Sequence, residues 1–311
     1  MKILVLGGCG YVGSKLVLSL IKHYEVTVID NQWFGNFLPS HKNLKVFKED
    51  VRNVAEKHFL DKQAVIHLAN IANDPSVELN QMLSWDVNVL QSIKLIKYSI
   101  KHGISKFIFA SSGSVYGIKK EDKVTEDLDL VPISTYNKTK MVAERIFESY
   151  RDKISIYNIR PATVCGISPR MRFDLTVNMF VRQAIENKKI TVHGGTQIRP
   201  SIHIDDLVNV YKHFLKNKLP SGAYNAGFEN FSVLEIAKLV SKYINCEIEI
   251  KNILDSRSYR LNSDKLLNTK FKKKFGVEIA IQQLIEAIKN KDVNIDETTY
   301  TVSWMKKNGF K

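Results

Sequence analysis

The stretch that decides the fold is Met1-Lys-Ile-Leu-Val-Leu-Gly-Gly-Cys-Gly-Tyr-Val-Gly-Ser-Lys15. Its short apolar run, Ile3 to Leu6, predicts a buried parallel strand. The run passes directly into Gly7, Gly10 and Gly13, and then into a helical pattern of apolar residues. Such a turn lets backbone N–H groups and the N-terminus of the following helix meet a pyrophosphate without interference from a Cβ atom. The stretch therefore predicts a strand, a dinucleotide-binding turn and a helix.

The next predicted strand, Val26-Thr-Val-Ile-Asp30, ends in a carboxylate seventeen residues after Gly13. Many strand–helix turns use glycine for geometry alone, so this acid is the observation that supports a dinucleotide site. In a dinucleotide fold, an acid at this place accepts hydrogen bonds from the adenosine ribose hydroxyls. It also repels a 2′-phosphate, and Asn31-Gln-Trp33 provides no cation to receive one. The sequence therefore favours NAD over NADP as the cofactor.

The composition limits the classes of protein to which the chain can belong. Its 311 residues, 44% of them hydrophobic, are enough to bury a large core. No apolar run reaches the roughly 18 residues of a membrane span, and a strand that starts at the N-terminus leaves no room for a signal peptide. Cys9, Cys165 and Cys246 indicate neither a disulfide framework nor a zinc site. We therefore expect a cytoplasmic protein with no membrane partner and no bound metal.

The net charge of +14 raises the question of nucleic-acid binding. Part of the excess is clustered in the lysines of 270–274 and 289–311. No arginine-rich or aromatic-interleaved motif accompanies them, so a solvated lysine-rich surface is favoured and no nucleic-acid partner is expected. A basic surface also attracts small anions such as a nucleotide diphosphate.

Strand and helix patterns alternate through the first half of the chain, which predicts an α/β fold with a doubly wound parallel sheet. After the first two strands, this half is expected to contain strands at 44–50, 64–69, 106–110 and 154–159 and helices at 54–60, 82–102 and 135–150. The second half is expected to contain helices at 174–187, 205–217, 232–244 and 279–290 and strands near 190–193 and 247–252. We divide the chain into a dinucleotide-binding domain, 1–165, and a smaller C-terminal α/β lobe, 166–311, with segments near 190–215 returning to the first domain. The tail, 291–311, is expected to pack on the surface without a chemical role.

Tyr136-Asn-Lys-Thr-Lys140 places a tyrosine and a lysine on one face of a predicted helix, because residues i and i+4 are neighbours there. A phenol with a pKa of about 10 is a poor base at neutral pH. A neighbouring ammonium and a cationic nicotinamide ring would both favour the phenolate. Ser112 follows the fifth predicted strand, where ligands bind in open parallel sheets, and would hold the reacting oxygen. An exposed Tyr–Lys pair and a turn serine are the alternatives, and the nucleotide-binding turn upstream favours a catalytic set.

Several further motifs accompany these residues. The set comprises Gly7-x-x-Gly10-x-x-Gly13, Asp30, Asp50-Val-Arg52, His67-Leu-Ala-Asn70, Asn88, Ser111-Ser112, Tyr136-x-x-x-Lys140 and Arg160-Pro-Ala162. In this combination the chain resembles the extended short-chain dehydrogenase/reductase family, and within it the NAD-dependent nucleotide-sugar epimerase/dehydratase group. The resemblance extends to about residue 290. It implies a Rossmann-type domain with a C-terminal substrate lobe, a nucleotide-diphosphate-sugar substrate, and a homodimer built through a four-helix bundle from 82–102 and 135–150.

The resemblance also implies a role for individual residues. The catalytic set would be Ser112, Tyr136 and Lys140. The residues that bind NAD would be Gly7, Gly10, Tyr11, Val12, Gly13, Asp30, Asn31, Asp50, Val51, Leu68, Ala69, Asn70, Asn88, Ser111, Tyr136, Lys140 and Pro161. The residues that bind the substrate would be Ser112, Ser114, Asn178, Arg199 and Arg257. Paired arginines suit a diphosphate because the planar guanidinium group matches its oxygens.

Three positions keep alternatives open. Arg199 would either contact the substrate or form a loop salt bridge with Asp205 or Asp206. Arg170 and Arg172 would either reach substrate oxygens or cap the following helix. Cys165 stands where relatives usually carry an aromatic residue, and we interpret it as a packing residue.

Departures from the family pattern narrow the reaction. The resembling 4,6-dehydratases carry an acidic pair where this chain has Gly113 and Ser114, and without a carboxylic acid to protonate a departing hydroxyl, dehydration is disfavoured. The segment Gly166–Asn178 resembles a subgroup of surface-polysaccharide pathways that contains sugar 4-epimerases and a GDP-heptose 4-dehydrogenase. We therefore expect an epimerase that oxidises the sugar at C4. A 4-dehydrogenase or 4-ketoreductase needs the same residues and is the alternative, whereas a regulator without catalysis is disfavoured because the catalytic set is complete.

Overall fold

The computed structural model describes residues 1–252 and 258–310. The strands of the described residues are β1 (Lys2–Leu6), β2 (Glu25–Asp30), β3 (Leu44–Lys48), β4 (Ala64–His67), β5 (Lys106–Ala110), β6 (Ser155–Pro161), β7 (Thr163–Cys165), β8 (Lys189–His193), β9 (Ile198–His203), β10 (Gly222–Ala226), β11 (Glu229–Ser232) and β12 (Glu247–Lys251). The helices are α1 (Tyr11–Leu20), α2 (Asp74–Val77), α3 (Gln81–Trp85), α4 (Ser92–Lys101), α5 (Thr135–Glu148), α6 (Thr176–Asn187), α7 (Ile204–Lys216), α8 (Val233–Ser241), α9 (Asp264–Leu267), α10 (Val277–Lys289) and α11 (Thr301–Lys307). Short 3₁₀ turns lie at Val51–Asn53, Glu56–Phe59, Gly113–Tyr116 and Glu297–Thr299.

The main sheet has seven parallel strands in the order β10-β6-β5-β4-β1-β2-β3. The strand order reverses direction between β1 and β4, and ligands of open α/β sheets bind at such a point, outside the carboxyl ends of the strands. This architecture, with smaller sheets in the C-terminal part, confirms the predicted fold class. The strand β10 adds a seventh strand from the second half of the chain.

Helices cover both faces of the sheet, and the residues of β1 divide between them. Ile3 and Val5 share a buried cluster with residues of α1 and α7, including Leu16. Leu4 and Leu6 share a second cluster with residues of α4 and α5. All four side chains are fully buried, which explains why this strand is a continuous apolar run rather than an alternating one.

The C-terminal part forms its own core. Its sheets are β11-β9-β7 and the parallel pair β12-β8. The helices α6, α8 and α10 contribute Val181, Ile236 and Leu284 to one buried cluster. These elements agree with the predicted helices and strands of the second half, while the boundary at residue 165 stays a prediction. Within the described residues, no helix is long and apolar enough to cross a membrane.

The long helix predicted at 82–102 is interrupted. Between α3 and α4, residues Asp86–Leu90 form a π-helical segment. It directs the buried Asn88 toward the loop after β4, where the amide accepts a hydrogen bond from Ile71 N–H (2.9 Å) and donates to Ile71 O (3.2 Å) and Thr139 Oγ1 (3.2 Å). Such π-bulges are frequent at functional sites because they redirect one side chain without ending the helix.

Candidate active site

A cavity of about 360 Å³ lies at the carboxyl ends of the parallel strands. Most residues that the sequence predicted for the site line it. They are Gly7, Gly10, Tyr11, Val12, Gly13, Leu68, Asn70, Ser111, Ser112, Ser114, Tyr136, Lys140, Pro161 and Arg199. The fold thus brings the glycine turn and the Tyr-x-x-x-Lys motif to one cavity.

The three glycines of the turn are explained by two different physical constraints. A Cβ atom on Gly7 would lie 2.4 Å from Ala69 N, and one on Gly13 would lie 2.2 Å from Gly7 O, so neither position has room for a side chain. A Cβ atom on Gly10 would meet only Gly7 O, at 3.6 Å. The space beside Gly10 therefore belongs to the cavity. It adjoins the first turn of α1, whose N–H groups lack partners within the helix and suit a phosphate.

Asp30 braces this turn from the end of β2. Its carboxylate accepts hydrogen bonds from Cys9 N–H (2.9 Å) and Gln32 N–H (2.7 Å). Burial raises the pKa of Asp30, and the two hydrogen bonds and the charge of Arg170 act in the opposite direction.

Other predicted cofactor residues lie around the cavity rather than in its lining. Asn31 Oδ1 accepts a hydrogen bond from Trp33 N–H (3.2 Å), and Asp50 pairs with Arg52 (2.9 Å). Val51 and Ala69 lie in the loops that follow β3 and β4, where Val51 is buried and Ala69 N–H donates to Leu6 O (2.8 Å). With Asn88, these residues shape the loops, and their contact with the cofactor stays a prediction.

The catalytic set is assembled from two elements. Ser112 precedes the 3₁₀ turn after β5, while Tyr136 and Lys140 lie on α5 and all three line the cavity. The Ser112 hydroxyl lies close enough to the Tyr136 phenol to lower the pKa of that phenol. Ser112 Oγ lies 2.7 Å from Ser114 Oγ, and Ser114 Oγ donates to Asn137 Oδ1 (2.6 Å). Because Ser114 donates to Asn137, the Ser112 hydroxyl is the donor in its contact with Ser114.

The charge states of Tyr136 and Lys140 differ from those that the sequence predicted. Burial raises the pKa of Tyr136 to about 12, Asp74 acts in the same direction, and Ser112 and Arg172 act against it. Burial lowers the pKa of Lys140 to about 7, and its Nζ donates to Ala110 O (2.6 Å). The ammonium expected from Lys140 is thus only partly present at neutral pH, and Arg172 is the nearby cation that favours the phenolate.

A buried polar network holds α5 against β5 and β6. The hydroxyl of Ser111 donates to the Glu144 carboxylate. The guanidinium of Arg160 donates to the same carboxylate (2.7 Å) and to Tyr116 Oη (2.7 Å). The side chains of Arg160 and Glu144 are only 6% and 4% exposed, so water does not weaken this ion pair. The network fixes the position of the catalytic helix.

The predicted substrate residues have different surroundings. Asn178 is fully buried and is not part of the lining. Its amide donates to Tyr11 Oη (3.1 Å) and Arg172 O (2.9 Å) and accepts from Gly166 N–H (3.0 Å). It therefore holds two lining residues, Tyr11 and Arg172, in place. Arg199 lines the cavity on β9. Arg257 lies outside the described residues.

Sequence reasoning missed a group of lining residues. They are Trp33, Phe34, Ile71, Asn137, Tyr259, Thr301 and Met305. Arg170 and Arg172, for which the sequence left a substrate contact and a helix cap open, also lie in the lining. The expectation that the tail packs on the surface was wrong for part of it, because Thr301 and Met305 line the cavity and Trp304 packs on Phe34, with 4.8 Å between ring centroids. Arg172 forms an ion pair with Asp174 (2.8 Å). The signal available in the sequence was the set of apolar residues in an otherwise polar tail.

Across residues 1–252 and 258–310, no group of three or more His, Cys, Asp or Glu side chains is placed to hold an ion. Burial also raises the pKa values of Cys9 and Cys165, which keeps both thiols protonated.

Comparison with known proteins now adds to the geometry. The sequence model of the NAD dependent epimerase/dehydratase family matches residues 3–227. The chain belongs to this family. Its cofactor is NAD, and the turn at Gly10 fits the diphosphate of that cofactor.

Similar proteins include several sugar-nucleotide enzymes. An uncharacterized UDP-glucose epimerase of Bacillus subtilis (strain 168) is 32% identical over 260 residues, covering 77% of this chain and 81% of the relative. A UDP-glucose 4-epimerase of Lactobacillus helveticus is 29% identical over 271 residues, covering 78% of this chain and 82% of the relative. The structure of a UDP-glucuronic acid 4-epimerase from Bacillus cereus with UDP-glucuronic acid and NAD matches with a TM-score of 0.84 at 26% identity, covering 94% of this chain and 100% of the other. Decarboxylases and a dehydratase are also among the relatives, so the family alone does not decide the reaction.

The different surroundings of the glycines predict different effects of the same substitution. Gly13→Ala places a Cβ atom 2.2 Å from Gly7 O, and we expect it to lower the free energy of unfolding by roughly 1–3 kcal/mol. Gly10→Ala causes no such clash and should leave the unfolding free energy within about 1 kcal/mol, while weakening NAD binding about tenfold or more. Chemical denaturation and calorimetric titration with NAD test this pair. Equal losses of stability would contradict the assignment of Gly10 to the ligand.

The pKa of Lys140 predicts how stability depends on pH. Its pKa in the folded protein, about 7, lies below the ordinary value of 10.5, so between these values the unfolded chain binds a proton that the folded chain does not. Stability from this residue therefore rises with pH. In nucleotide-free protein, we expect the unfolding free energy of the wild type to rise relative to Lys140→Met by roughly 2 kcal/mol from about pH 7 to about pH 9. Lys138→Met, on the exposed face of α5, is the control, and a constant difference for Lys140→Met would refute the prediction.

Proposed function

We propose that this enzyme is an NAD-dependent nucleotide-diphosphate-sugar epimerase that acts through a 4-keto intermediate. The observation that carries the proposal is that Ser112 and Tyr136 line the same cavity as the glycine turn. A tyrosine placed in this way can take a proton from a sugar hydroxyl while C4 loses hydride. The resemblance to 4-epimerases supports C4 as the reacting carbon.

The residues divide the work of the reaction. Ser112 holds the C4 hydroxyl by a hydrogen bond. Tyr136 accepts its proton as general base in the phenolate form, which Arg172 and the oxidised nicotinamide ring would favour. Bound NAD supplies hydride acceptance and return at C4, and its oxidised ring adds positive charge near the phenol. After the keto sugar rotates within the site, hydride would return to the opposite face of C4, and Tyr136 would return the proton to the C4 oxygen. Every proton and electron pair removed in the first half is restored in the second, so epimerisation has no net redox change.

The scarcity of carboxylates in the described lining of the cavity disfavours dehydration. Elimination of a hydroxyl needs an acid to protonate the leaving oxygen, and Gly113 and Ser114 stand where dehydratases carry their acidic pair. Among the described residues of the lining, Asp74 is the only carboxylate. Its Oδ1 accepts a hydrogen bond from the Ser134 hydroxyl, which binds it to the N-cap of α5.

The alternative is a 4-dehydrogenase or 4-ketoreductase, because the same residues serve those reactions. Mass spectrometry of the nucleotide released from purified protein, followed by proton NMR with a panel of sugar nucleotides, separates the two. We expect inversion at C4 without accumulation of NADH. Stoichiometric NADH together with a released keto sugar would instead favour the dehydrogenase.

Substitution of Tyr136 tests the proposed base directly. Tyr136→Phe removes one hydroxyl and keeps the ring, and we expect turnover of the responsive sugar nucleotide to fall by about a hundredfold or more. Tyr98→Phe is the matched control, since that ring packs edge-on against Phe59 away from the cavity. Undiminished turnover in Tyr136→Phe would exclude the mechanism.

We also propose that two copies pair through α4 and α5. Large apolar side chains stand exposed on α4 and on the segment that leads into it: Ile93 of α4 is 45% exposed, Leu90 of the π-helical segment 66% and Met82 of α3 82%. Burial of such a patch against a second copy is favourable. Light scattering should give twice the mass of one chain, and Ile93→Glu should give a folded monomer; a monomeric wild type would contradict the proposal.

A role in the cytoplasmic biosynthesis of surface-polysaccharide sugars remains a prediction from the family resemblance.

A further inference from the structure

Arg170 lies between two parts of the cofactor cleft. Its backbone N–H is 3.4 Å from Ser14 Oγ, in the first turns of α1. Its guanidinium carbon lies 4.1 Å from the ring centroid of Phe34, which follows Asp30 in the segment after β2. The side chain therefore stands between the glycine turn and the acid expected to bind the adenosine ribose.

The C-terminal segment holds Arg170 in this place. Arg170 Nη2 donates to Thr298 O (3.0 Å) and to Thr301 Oγ1 (3.1 Å). Thr301 belongs to α11, which packs over the same side of the cleft through Trp304 on Phe34. Phe310 packs on Trp33 with 4.5 Å between ring centroids. The tail thus forms a wall of the cleft and orients one guanidinium group toward it.

Arg170 forms no direct ion pair with a described residue. The residue is only 3% exposed, and no carboxylate of the described residues lies within 4.0 Å of its guanidinium group. The Nε atom is buried without a hydrogen-bond partner in the same part of the chain. Burial lowers the pKa of Arg170 to about 9, the charge of Arg172 adds to this effect, and Asp174 and Asp30 act against it. Since a buried unpaired charge is costly, an anionic ligand would stabilise this arrangement.

We propose that Arg170 binds the diphosphate of the NAD cofactor, held in position by the C-terminal segment through Thr298 and Thr301. A nucleotide-sugar substrate also carries a diphosphate. The cofactor is the source to which the geometry points, because Arg170 adjoins α1 and Phe34 rather than the catalytic turn at Ser112. This inference holds whichever sugar reaction the enzyme catalyses.

The test is calorimetric titration of nucleotide-free Arg170→Gln with NAD, with adenosine and with UDP. Loss of a charged hydrogen bond to a phosphate predicts about tenfold to hundredfold weaker NAD binding. Adenosine, which has no phosphate, should bind equally to wild type and variant. The control is Arg151→Gln, whose side chain is 67% exposed and pairs with Glu148 on the surface.

A second variant tests the holding contact. Thr301→Val keeps the arginine and removes one hydrogen bond to it, and we expect NAD binding to weaken about twofold to tenfold with adenosine binding unchanged. If Arg170→Gln does not fold, Arg170→Met, which also removes the charge, replaces it in the same titrations.

Three results would overturn the proposal. Unchanged NAD affinity in the folded variant would show that the guanidinium does not touch the ligand. Equal losses for NAD and adenosine would mean that Arg170 only shapes the pocket. Weaker UDP binding with unchanged NAD binding would assign the arginine to the substrate diphosphate. None of these readouts depends on sugar turnover, so they are independent of the proposed epimerase activity.

Discussion

The close approach of α1 to the strands beside it is the constraint on which the rest of the molecule depends. No Cβ atom fits at Gly7 or Gly13, so the helix starts directly against the ends of β1 and β4. Its first N–H groups therefore face the point where the strand order of the sheet reverses. Asp30 braces the same turn through Cys9 N–H. A phosphate site arises here from backbone geometry alone, before any charged side chain contributes.

The second half of the site depends on a buried ion pair. Glu144 and Arg160 lock α5 to the sheet below the cavity, and loss of one partner would leave the other charge buried, at a cost of about 3–5 kcal/mol. The helix held in this way carries Tyr136 and Lys140 to the ends of the strands. The fixed carboxylate also opposes the fall in the pKa of Lys140 that burial causes. The ion pair that stabilises the fold therefore also fixes the positions of Tyr136 and Lys140, because Glu144 lies on the same helix, α5.

The proposed epimerisation begins and ends with the same cofactor state. The described lining of the cavity has a single carboxylate, Asp74, which is engaged with Ser134. An epimerase must also keep the cofactor while the keto sugar turns over. The tail forms one wall of the cleft and contacts Arg170 through Thr301. In the proposed mechanism this wall would help to retain the cofactor.

The sequence by itself determined the parallel sheet, the nucleotide turn and the Tyr136–Lys140 motif, because each depends on spacing within a few neighbouring residues. Tertiary structure alone decided which distant residues meet. Asn178 supports Tyr11 from 167 positions away, and Arg170 reaches Thr301 across 131. No local pattern encodes such pairs, since they form only when the C-terminal part packs against the first helix. Burial decided the rest: it changed Lys140 from the expected ammonium into a partly neutral amine, and made the polar tail a wall of the site.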